Sequence, residues 1–298
     1  MEIRDSVPVI WNGLHDSNLK PEEADVVVLG LPFDKAVSFR RGAAEAPDRI
    51  RLISGHISPT TEDGDSIARL KVLDLGNLSP EGLDQEEYFR KIEDKAAGLF
   101  RKSFPTFIGG DHSVSIPLIT AAAKIWGDKL GVIHLDAHMD LCGELEGNRL
   151  SHGCTHRRVT ESRNLPLENI CFVGIRSFEQ QELDYLEGRG ANIFKAAHIY
   201  RQGIKQTVES VKQVLKNCEV FYLTLDIDFL DPAYAPGTGT PKPGGFTTRE
   251  LFTFLRDFSS LRFIGMDVVE VSPPLDHNDI TSFAAQRAIT EAWSMLLG

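Results

Sequence analysis

The stretch VFYLTLDIDFLDP (220–232) joins a nearly continuous apolar run to two carboxylates, Asp226 and Asp228, that follow at its end. Apolar runs of similar length, rich in Val, Ile and Leu, recur along the chain. They lie at 25–31, 71–75, 105–108, 130–136, 170–175 and 263–271. Short runs that are apolar throughout are typical of strands covered on both faces, so this stretch predicts a buried strand with a polar end.

Helical patterns lie between these predicted strands. They cover 85–102, 114–126, 202–215, 248–258 and 280–297. Thr247, Thr248 and Glu250 are typical of a helix N-terminus. The alternation of strands and helices predicts an α/β fold, with a parallel sheet that carries helices on both faces. Long loops are expected at about 54–69 and 141–169, and no linker divides the chain, so we expect a single domain over 1–298.

The composition is that of an ordinary soluble protein, and it restricts the classes of partner. Of the 298 residues, 42% are hydrophobic and 25% are charged, and the formal net charge is −11. This charge argues against a general binder of nucleic acids or anionic membranes, which needs a net basic surface. No stretch approaches the roughly 18 apolar residues of a membrane helix, and residues 1–13 do not resemble a signal peptide. The four cysteines form no CxxC pair, so we expect a cytoplasmic protein with reduced thiols.

Acidic residues and histidines follow three of the predicted strands. They are His112 after the third strand, Asp136, His138 and Asp140 at the end of the fourth, and Asp226 and Asp228 at the end of the stretch quoted above. In an open α/β sheet, reactive groups gather outside the carboxyl ends of the strands. Carboxylates brought together there repel one another unless cations neutralise them. The sequence therefore predicts a ligand set for two divalent cations.

The ligand types indicate the metal. A set made mostly of carboxylates with some imidazole favours Mn²⁺, with Fe²⁺, Co²⁺ and Zn²⁺ as alternatives. Two such ions about 3.5–4 Å apart lower the pKa of a shared water toward neutrality, which predicts a hydrolytic site. His134 lies inside an apolar run, and we interpret it as a core or supporting residue rather than as a ligand.

Taken together, the motifs resemble the ureohydrolase family, which comprises arginases, agmatinases and their relatives. The matching segments are GGDHS (109–113), DAHMD (136–140), SHG (151–153), LDIDFLDP (225–232), GTGTP (237–241) and DVVEVSPPLD (267–276). Two earlier segments, GLPFD (30–34) and SFRRGAAEAPDRIR (38–51), resemble agmatinase-type members. The resemblance implies an arginase-like, three-layer α/β/α sandwich on a mostly parallel sheet of about eight strands. It also implies two Mn²⁺ ions per chain and hydrolysis of a C–N bond in a guanidino or amidino group.

The same resemblance implies a set of ligands for each ion. The first Mn²⁺ would bind His112, Asp136, Asp140 and Asp226, and the second would bind Asp136, His138, Asp226 and Asp228. Asp136 and Asp226 would bridge the two ions.

Three further residues receive catalytic or binding roles by resemblance. Glu270 would pair with the guanidinium of the substrate, because a carboxylate can accept two hydrogen bonds from that planar cation. Thr240 would place a hydroxyl nearby. His152 would be the proton shuttle, with a pKa near neutrality and a position in a mobile loop.

Other residues determine which chemical group the site accepts at the end of the substrate away from the guanidinium. Position 142 is Cys where arginase-type members have Asn, which argues against free arginine. Glu179 matches a family acid that contacts an amino group, and together with the negative net charge it favours agmatine. Other basic groups lie near the shuttle, namely Arg149, Arg157, Arg158 and His156. They could instead bind a substrate carboxylate, so a formimidoylglutamase, a guanidinobutyrase or an arginase is the alternative.

Two readings from other classes stay open. Fragments of the motifs resemble those of two-metal phosphatases, although a GNHE-type segment is absent and LDIDFLDP is present. A non-catalytic relative is the second, but such proteins usually lose ligands, and all six are present here. The partner that we expect is a small guanidino molecule rather than a nucleic acid or a membrane. Family members typically assemble as trimers or hexamers, so a homotrimer or homohexamer is expected.

Overall fold

Eight parallel strands form one sheet in the computed structural model of the chain, which describes residues 9–162 and 164–297. The strands are Val26–Gly30 (β1), Val72–Asn77 (β2), Phe104–Ile108 (β3), Leu130–Leu135 (β4), Ile170–Ile175 (β5), Asn192–Lys195 (β6), Val220–Asp226 (β7) and Phe263–Val269 (β8). Their order is β2-β1-β3-β8-β7-β4-β5-β6, and all neighbouring strands run parallel. All seven predicted strands are present. Residues 1–8, on which the interpretation of the N-terminal segment partly rests, lie outside the described residues.

The five predicted helices are also present, with ends within three residues of those expected. The α-helices of the described chain are Ala46–Ser54 (α1), Gln85–Leu99 (α2), Ser115–Trp126 (α3), Thr155–Glu161 (α4), Gln180–Leu186 (α5), Ala196–Gln202 (α6), Ile204–Val214 (α7), Thr248–Asp257 (α8) and Ile280–Ser294 (α9). The predicted N-terminus of α8 is a capping box. The Thr247 side chain accepts the N–H of Glu250, and the Glu250 side chain accepts the N–H of Thr247.

Alternating side chains of β1 divide the core into two halves. Val26 packs in one apolar cluster with Ile50 of α1, and that cluster also contains residues of α6, α7, α8 and α9. Val27 packs in the other cluster with Ile92 of α2, together with residues of α3 and α4. Successive strand residues point to opposite faces, so helices cover both sides of the sheet. The predicted three-layer α/β/α sandwich is confirmed.

The sequence prediction missed several short elements. Strand β6 was not predicted because its four residues, NIFK, are only partly buried at the edge of the sheet. Helix α4 lies within the region 141–169 that was expected to be a loop, so that expectation was wrong in part. Its seven residues, THRRVTE, are mostly polar and span about two turns, too few for an apolar periodicity to appear. In the other predicted loop, residues 55–69 contain no helix and only the isolated bridge between Thr60 and Ser66.

The strand order brings the polar strand ends together. Strands β3, β8, β7 and β4 are consecutive neighbours in the middle of the sheet. Because they are parallel, their carboxyl ends meet at one edge, where ligands bind in folds of this kind. Within the residues that the structure describes, no helix is both long and apolar enough to span a bilayer.

Candidate metal centre

The GGDHS segment turns sharply after β3 and delivers His112. A Cβ atom on Gly110 would lie 1.7 Å from the carbonyl oxygen of Phe33, so only glycine fits at this close approach. Asp111 then caps the short 3₁₀-helix His112–Val114 by accepting the N–H of Ser113 at 3.0 Å. Its other carboxylate oxygen accepts the N–H of Ala36 at 2.9 Å. Asp111 therefore fixes the turn, and it is His112 that faces the cluster.

Three aspartates at the ends of β4 and β7 each use one oxygen to hold the backbone. Asp136 Oδ1 accepts the N–H of His138 at 2.6 Å. Asp226 Oδ1 accepts the N–H of Asp228 at 2.8 Å, and Asp228 Oδ1 accepts the N–H of Ala137 at 3.1 Å. The remaining oxygen, Oδ2, of each aspartate faces an imidazole nitrogen. The carboxylates are thus oriented before any ligand binds.

His112 is the centre of the first group. Its Nδ1 atom lies 3.1 Å from Asp136 Oδ2, 3.0 Å from Asp140 Oδ2 and 3.2 Å from Asp226 Oδ2. His138 is the centre of the second group, with Nδ1 3.1 Å from Asp228 Oδ2 and 3.4 Å from Asp136 Oδ1. Asp136 belongs to both groups. All six residues predicted as ligands are therefore brought together.

The donor set fits divalent cations. Asp136, Asp226 and Asp228 are buried, and in the described part of the chain no Lys or Arg forms an ion pair with any of them or with Asp140. His112 Nδ1 and Asp136 Oδ2 are buried and have no hydrogen-bond partner among the residues that the structure describes. Buried polar atoms of this kind require a partner, and carboxylates with imidazoles are ligands for ions such as Mn²⁺. The residues present fit a pair of metal ions.

The pKa values of the cluster also indicate that it needs positive charge nearby. Burial raises the pKa of Asp226 well above its usual range, and the carboxylates of Asp228 and Asp136 add to this effect. Burial opposes a charge on His112 as well, but Asp140, Asp136 and Asp226 nevertheless raise its pKa well above the ordinary value. Without cations the cluster retains protons, which a bound metal would displace.

His152 and Glu270 form a buried pair beside the cluster. His152 Nδ1 lies 3.0 Å from Glu270 Oε1, and His152 Nε2 lies 2.9 Å from the hydroxyl of Ser38. Burial lowers the pKa of His152, but Glu270 outweighs it and raises that pKa to about 9. The expected near-neutral pKa and mobile loop thus differ from the structure, in which His152 is buried at the start of a 3₁₀-helix. The sequence could not reveal this because Glu270 lies 118 positions away.

Glu270 has an unusual backbone. Its φ angle is 63°, in the left-handed region that residues with a side chain rarely adopt. Its N–H donates to the carbonyl of Gly110 at 2.8 Å, and its Oε1 accepts the N–H of His112 at 2.8 Å. Strained conformations of this kind persist where the surrounding structure enforces them, often at functional sites.

A cavity of about 280 Å³ opens on the cluster. His138, Asp140, Asp226 and His152 line it together with Thr240 and Glu179, two of the three predicted substrate contacts. The third, Glu270, is buried beside the cavity and is not one of its lining residues. Glu182 and Lys242 also line it, and the sequence analysis missed both. The spacing of Glu179 and Glu182 is the capping-box spacing at the start of α5, a signal that could have drawn attention to Glu182. Burial raises the pKa of Glu182 to about 7.

The basic residues considered for a substrate carboxylate have other partners. Arg149, Arg157 and Arg158 all form ion pairs with Glu161. His156 is buried, and its Nε2 lies 2.8 Å from Nδ1 of His134. None of the four lines the cavity.

His134 supports the cluster, as its apolar surroundings indicated. Its Nε2 lies 2.8 Å from the carbonyl oxygen of His138 and 3.2 Å from Asp136 Oδ2. Arg176 was missed by the sequence analysis. It donates from Nη2 to the carbonyls of Asp228 at 2.5 Å and Lys242 at 2.8 Å, which joins two segments that border the site.

Comparison with known proteins agrees with this architecture. The sequence model of the Arginase family matches residues 24–294. An agmatinase of Bacillus anthracis is 38% identical over 289 residues, which cover 93% of this chain and 92% of that protein. Among solved structures, proclavaminate amidinohydrolase of Streptomyces clavuligerus has a TM-score of 0.87 at 33% identity, covering 98% of this chain and 97% of that chain. Formimidoylglutamase of Bacillus subtilis subsp. subtilis str. 168 has a TM-score of 0.89 at 26% identity, covering 99% and 93%.

The parallel sheet and the buried carboxylate–imidazole cluster at its edge define an enzyme of the ureohydrolase class. Since the family match extends over almost the whole described chain, the protein belongs to the arginase family.

Proposed function

We propose that this chain is a binuclear manganese hydrolase that cleaves a guanidino C–N bond of agmatine and releases putrescine and urea. The observation that carries the proposal is that His112 Nδ1 and Asp136 Oδ2 are buried, close to each other and unpartnered, beside an acid-lined cavity. One ion would be held by His112, Asp136, Asp140 and Asp226, and the other by Asp136, His138, Asp226 and Asp228.

Two divalent cations in such a site supply a water molecule whose pKa is lowered toward neutrality. Glu270 orients the guanidinium for attack. The hydrogen bonds that it receives from the His112 N–H and from His152 both end on Oε1, which leaves Oε2 for the planar cation. Thr240 lines the same cavity, and its hydroxyl would hydrogen-bond to the guanidinium.

His152 holds the proton that the leaving amine needs. Glu270 raises the pKa of His152 to about 9. The Nδ1–H of His152 rests on Glu270 Oε1 until the C–N bond breaks, while its Nε2 accepts the backbone N–H of Ser38 at 3.1 Å. Because His152 lines the cavity, the transfer requires no large movement. In this mechanism Glu270 binds the guanidinium, and His152 donates the proton to the leaving amine.

The charge of the cavity supports a substrate with a second positive group. Glu146, Glu179 and Glu182 line it, and among the described lining residues Lys242 is the one lysine. Agmatine carries a guanidinium at one end and an ammonium at the other. Glu179 is the N-cap residue of α5 and is exposed, so it can reach that ammonium without a large desolvation cost.

Lys242 favours a second candidate, a guanidino or formimino acid whose carboxylate would pair with the ammonium of this residue. Guanidinobutyrate and formimidoylglutamate are the simplest examples. The three arginines near His152 do not add to this candidate, because they bind Glu161.

A substrate panel decides between the two candidates. The metal-free protein is loaded with Mn²⁺ and incubated with agmatine, arginine, guanidinobutyrate, guanidinopropionate or formimidoylglutamate, and urea or formamide is measured. We expect urea from agmatine with the highest kcat/KM, and none from agmatine would refute the proposed substrate. Parallel loading with Fe²⁺, Co²⁺ and Zn²⁺ tests the metal, and p-nitrophenyl phosphate tests phosphatase activity.

The assembly and location of the protein remain predictions. The family resemblance supports a homotrimer or homohexamer, which light scattering of the purified protein would measure. A cytoplasmic location and a role in polyamine biosynthesis follow from the proposed substrate and product. The single-domain organisation over 1–298 predicts one cooperative melting transition of the metal-loaded protein.

A further inference from the structure

A buried chain of hydrogen bonds runs from His112 away from the cavity. His112 Nε2 lies 2.9 Å from the hydroxyl oxygen of Thr224, and that hydroxyl lies 2.6 Å from Asp267 Oδ1. Thr224 on β7 and Asp267 on β8 are directly paired in the sheet register. All three residues are buried.

The chemistry of this chain determines the direction of each bond. Asp267 accepts three hydroxyl hydrogen bonds, from Thr224 on Oδ1 and from Tyr222 and Ser115 on Oδ2 at 2.8 and 3.0 Å. A hydroxyl has one hydrogen, and Thr224 gives it to the carboxylate. The Thr224 oxygen must therefore accept the Nε2–H of His112, which leaves the lone pair of the neutral imidazole on Nδ1.

That lone pair faces the predicted metal position. Nδ1 is the atom that lies 3.0–3.2 Å from the carboxylates of Asp136, Asp140 and Asp226. The opposite tautomer would put a hydrogen on Nδ1 and no donor on Nε2. It would therefore compete with a cation for the site and break the contact with Thr224 at the same time.

We propose that Thr224 and Asp267 are positioning residues that hold His112 in the tautomer and ring orientation required for metal binding. Asp267 has no Lys, Arg or His in an ion pair in the described part of the chain. A buried carboxylate without a cationic partner is costly, and an apolar residue would serve a central strand better. A metal ligand whose second nitrogen donates to an oriented acceptor accounts for this cost, since such partners raise ligand basicity and fix the tautomer.

The test uses Mn²⁺ binding rather than activity, because the inference rests on the proposed metal centre. Metal-free full-length protein is titrated with Mn²⁺ by calorimetry and by electron paramagnetic resonance, and its melting temperature is measured in chelator. Thr224→Val removes the hydroxyl and keeps the shape of the side chain, while Thr224→Ser keeps the hydroxyl. Ser115→Ala is the matched control, since it removes one hydrogen bond of Asp267 and leaves Thr224 unchanged.

We expect Thr224→Val to weaken Mn²⁺ binding at one site by about 10- to 100-fold, which is the usual effect of losing such a partner. Thr224→Ser and Ser115→Ala should bind within about threefold of the wild type. In chelator, Thr224→Val and Ser115→Ala should both melt below the wild type, because each removes a hydroxyl that donates to the buried carboxylate of Asp267, whereas Thr224→Ser should melt close to the wild type.

Three results would overturn the inference. If the wild type binds two Mn²⁺ ions and Thr224→Val binds them with equal affinity, the positioning role is refuted and the proposed function stays intact. Wild-type protein that binds no Mn²⁺ would refute both. If Thr224→Val and Thr224→Ala both fail to fold while Thr224→Ser folds, the hydrogen bonds from His112 to Asp267 are needed for folding rather than for metal binding.

Discussion

Replacement of Asp226 by Asn tests the metal centre most directly. Asp226 Oδ2 lies 3.2 Å from His112 Nδ1, and Oδ1 accepts the N–H of Asp228 at 2.8 Å. An asparagine can keep the second contact through its carbonyl oxygen, but it brings no negative charge. The substitution therefore removes charge while it conserves shape.

The expected loss of affinity follows from electrostatics. Two unit charges about 4 Å apart interact by about 4 kcal/mol at an effective dielectric constant of about 20. A divalent ion loses at least this much when one carboxylate ligand becomes neutral, which corresponds to roughly a thousandfold weaker binding. Because Asp226 would contact both ions, we expect Asp226→Asn to lose both ions and all activity.

In the metal-free protein, Asp226→Asn should instead raise the stability of the fold. Burial and the nearby carboxylates of Asp228 and Asp136 raise the pKa of Asp226 well above its usual value. A carboxyl with a raised pKa in the folded state binds its proton more tightly there, so the free energy of unfolding falls as the pH rises through the range between the two pKa values. Asparagine removes this penalty. In chelator at pH 8, Asp226→Asn should therefore melt above the wild type.

Elemental analysis after desalting and thermal melts with and without chelator measure both effects. Asp94→Asn, a change of an exposed acid on α2, is the control and should retain two Mn²⁺ ions per chain. An Asp226→Asn protein that keeps two Mn²⁺ ions would refute the ligand assignment. A chelator-treated variant that melts well below the wild type would refute the argument from repulsion.

Four other substitutions test the remaining roles. His152→Asn should keep both Mn²⁺ ions but lower kcat by about 10²–10⁴-fold, because it removes the proton donor and no ligand; an unchanged kcat excludes His152 as the shuttle. Glu179→Gln should raise the KM for agmatine with little change in kcat, whereas Lys242→Met should not; the reverse pattern on a guanidino acid favours the second candidate. Arg176→Met should lower the free energy of unfolding by about 2–3 kcal/mol, because the carbonyls of Asp228 and Lys242 lose a charged donor; an unchanged denaturation midpoint contradicts this role.

That the six proposed metal ligands lie together could be predicted from the sequence for a clear physical reason. Each ligand follows a short apolar run, and parallel strands bring such ends to one edge whatever the length of the connecting helices. The prediction of His112, Asp136 and Asp226 at a common site needed only this rule and the repulsion between carboxylates. In the structure, His112 Nδ1 lies 3.1 Å from Asp136 Oδ2 and 3.2 Å from Asp226 Oδ2.

The partners of the basic residues on α4 and of His152 could not be predicted in the same way. Arg157 and Arg158 are four and three residues from Glu161, so a local ion pair on α4 competes with any substrate carboxylate. That competition becomes visible only when α4 is recognised as a helix. The pairing of His152 with Glu270 depends on how two loops pack, and no periodicity in a single sequence encodes it.

The left-handed backbone at Glu270 has a consequence for mutational tolerance. A φ of 63° costs least for glycine and is also accessible to asparagine and aspartate, whereas β-branched side chains fit it poorly. In a saturation library at this codon, selection for abundance should therefore enrich Gly, Asn and Asp, while selection for turnover should retain only Glu. If the two selections favour different residues at this position, Glu270 is retained because turnover requires its carboxylate, although its backbone conformation favours other residues.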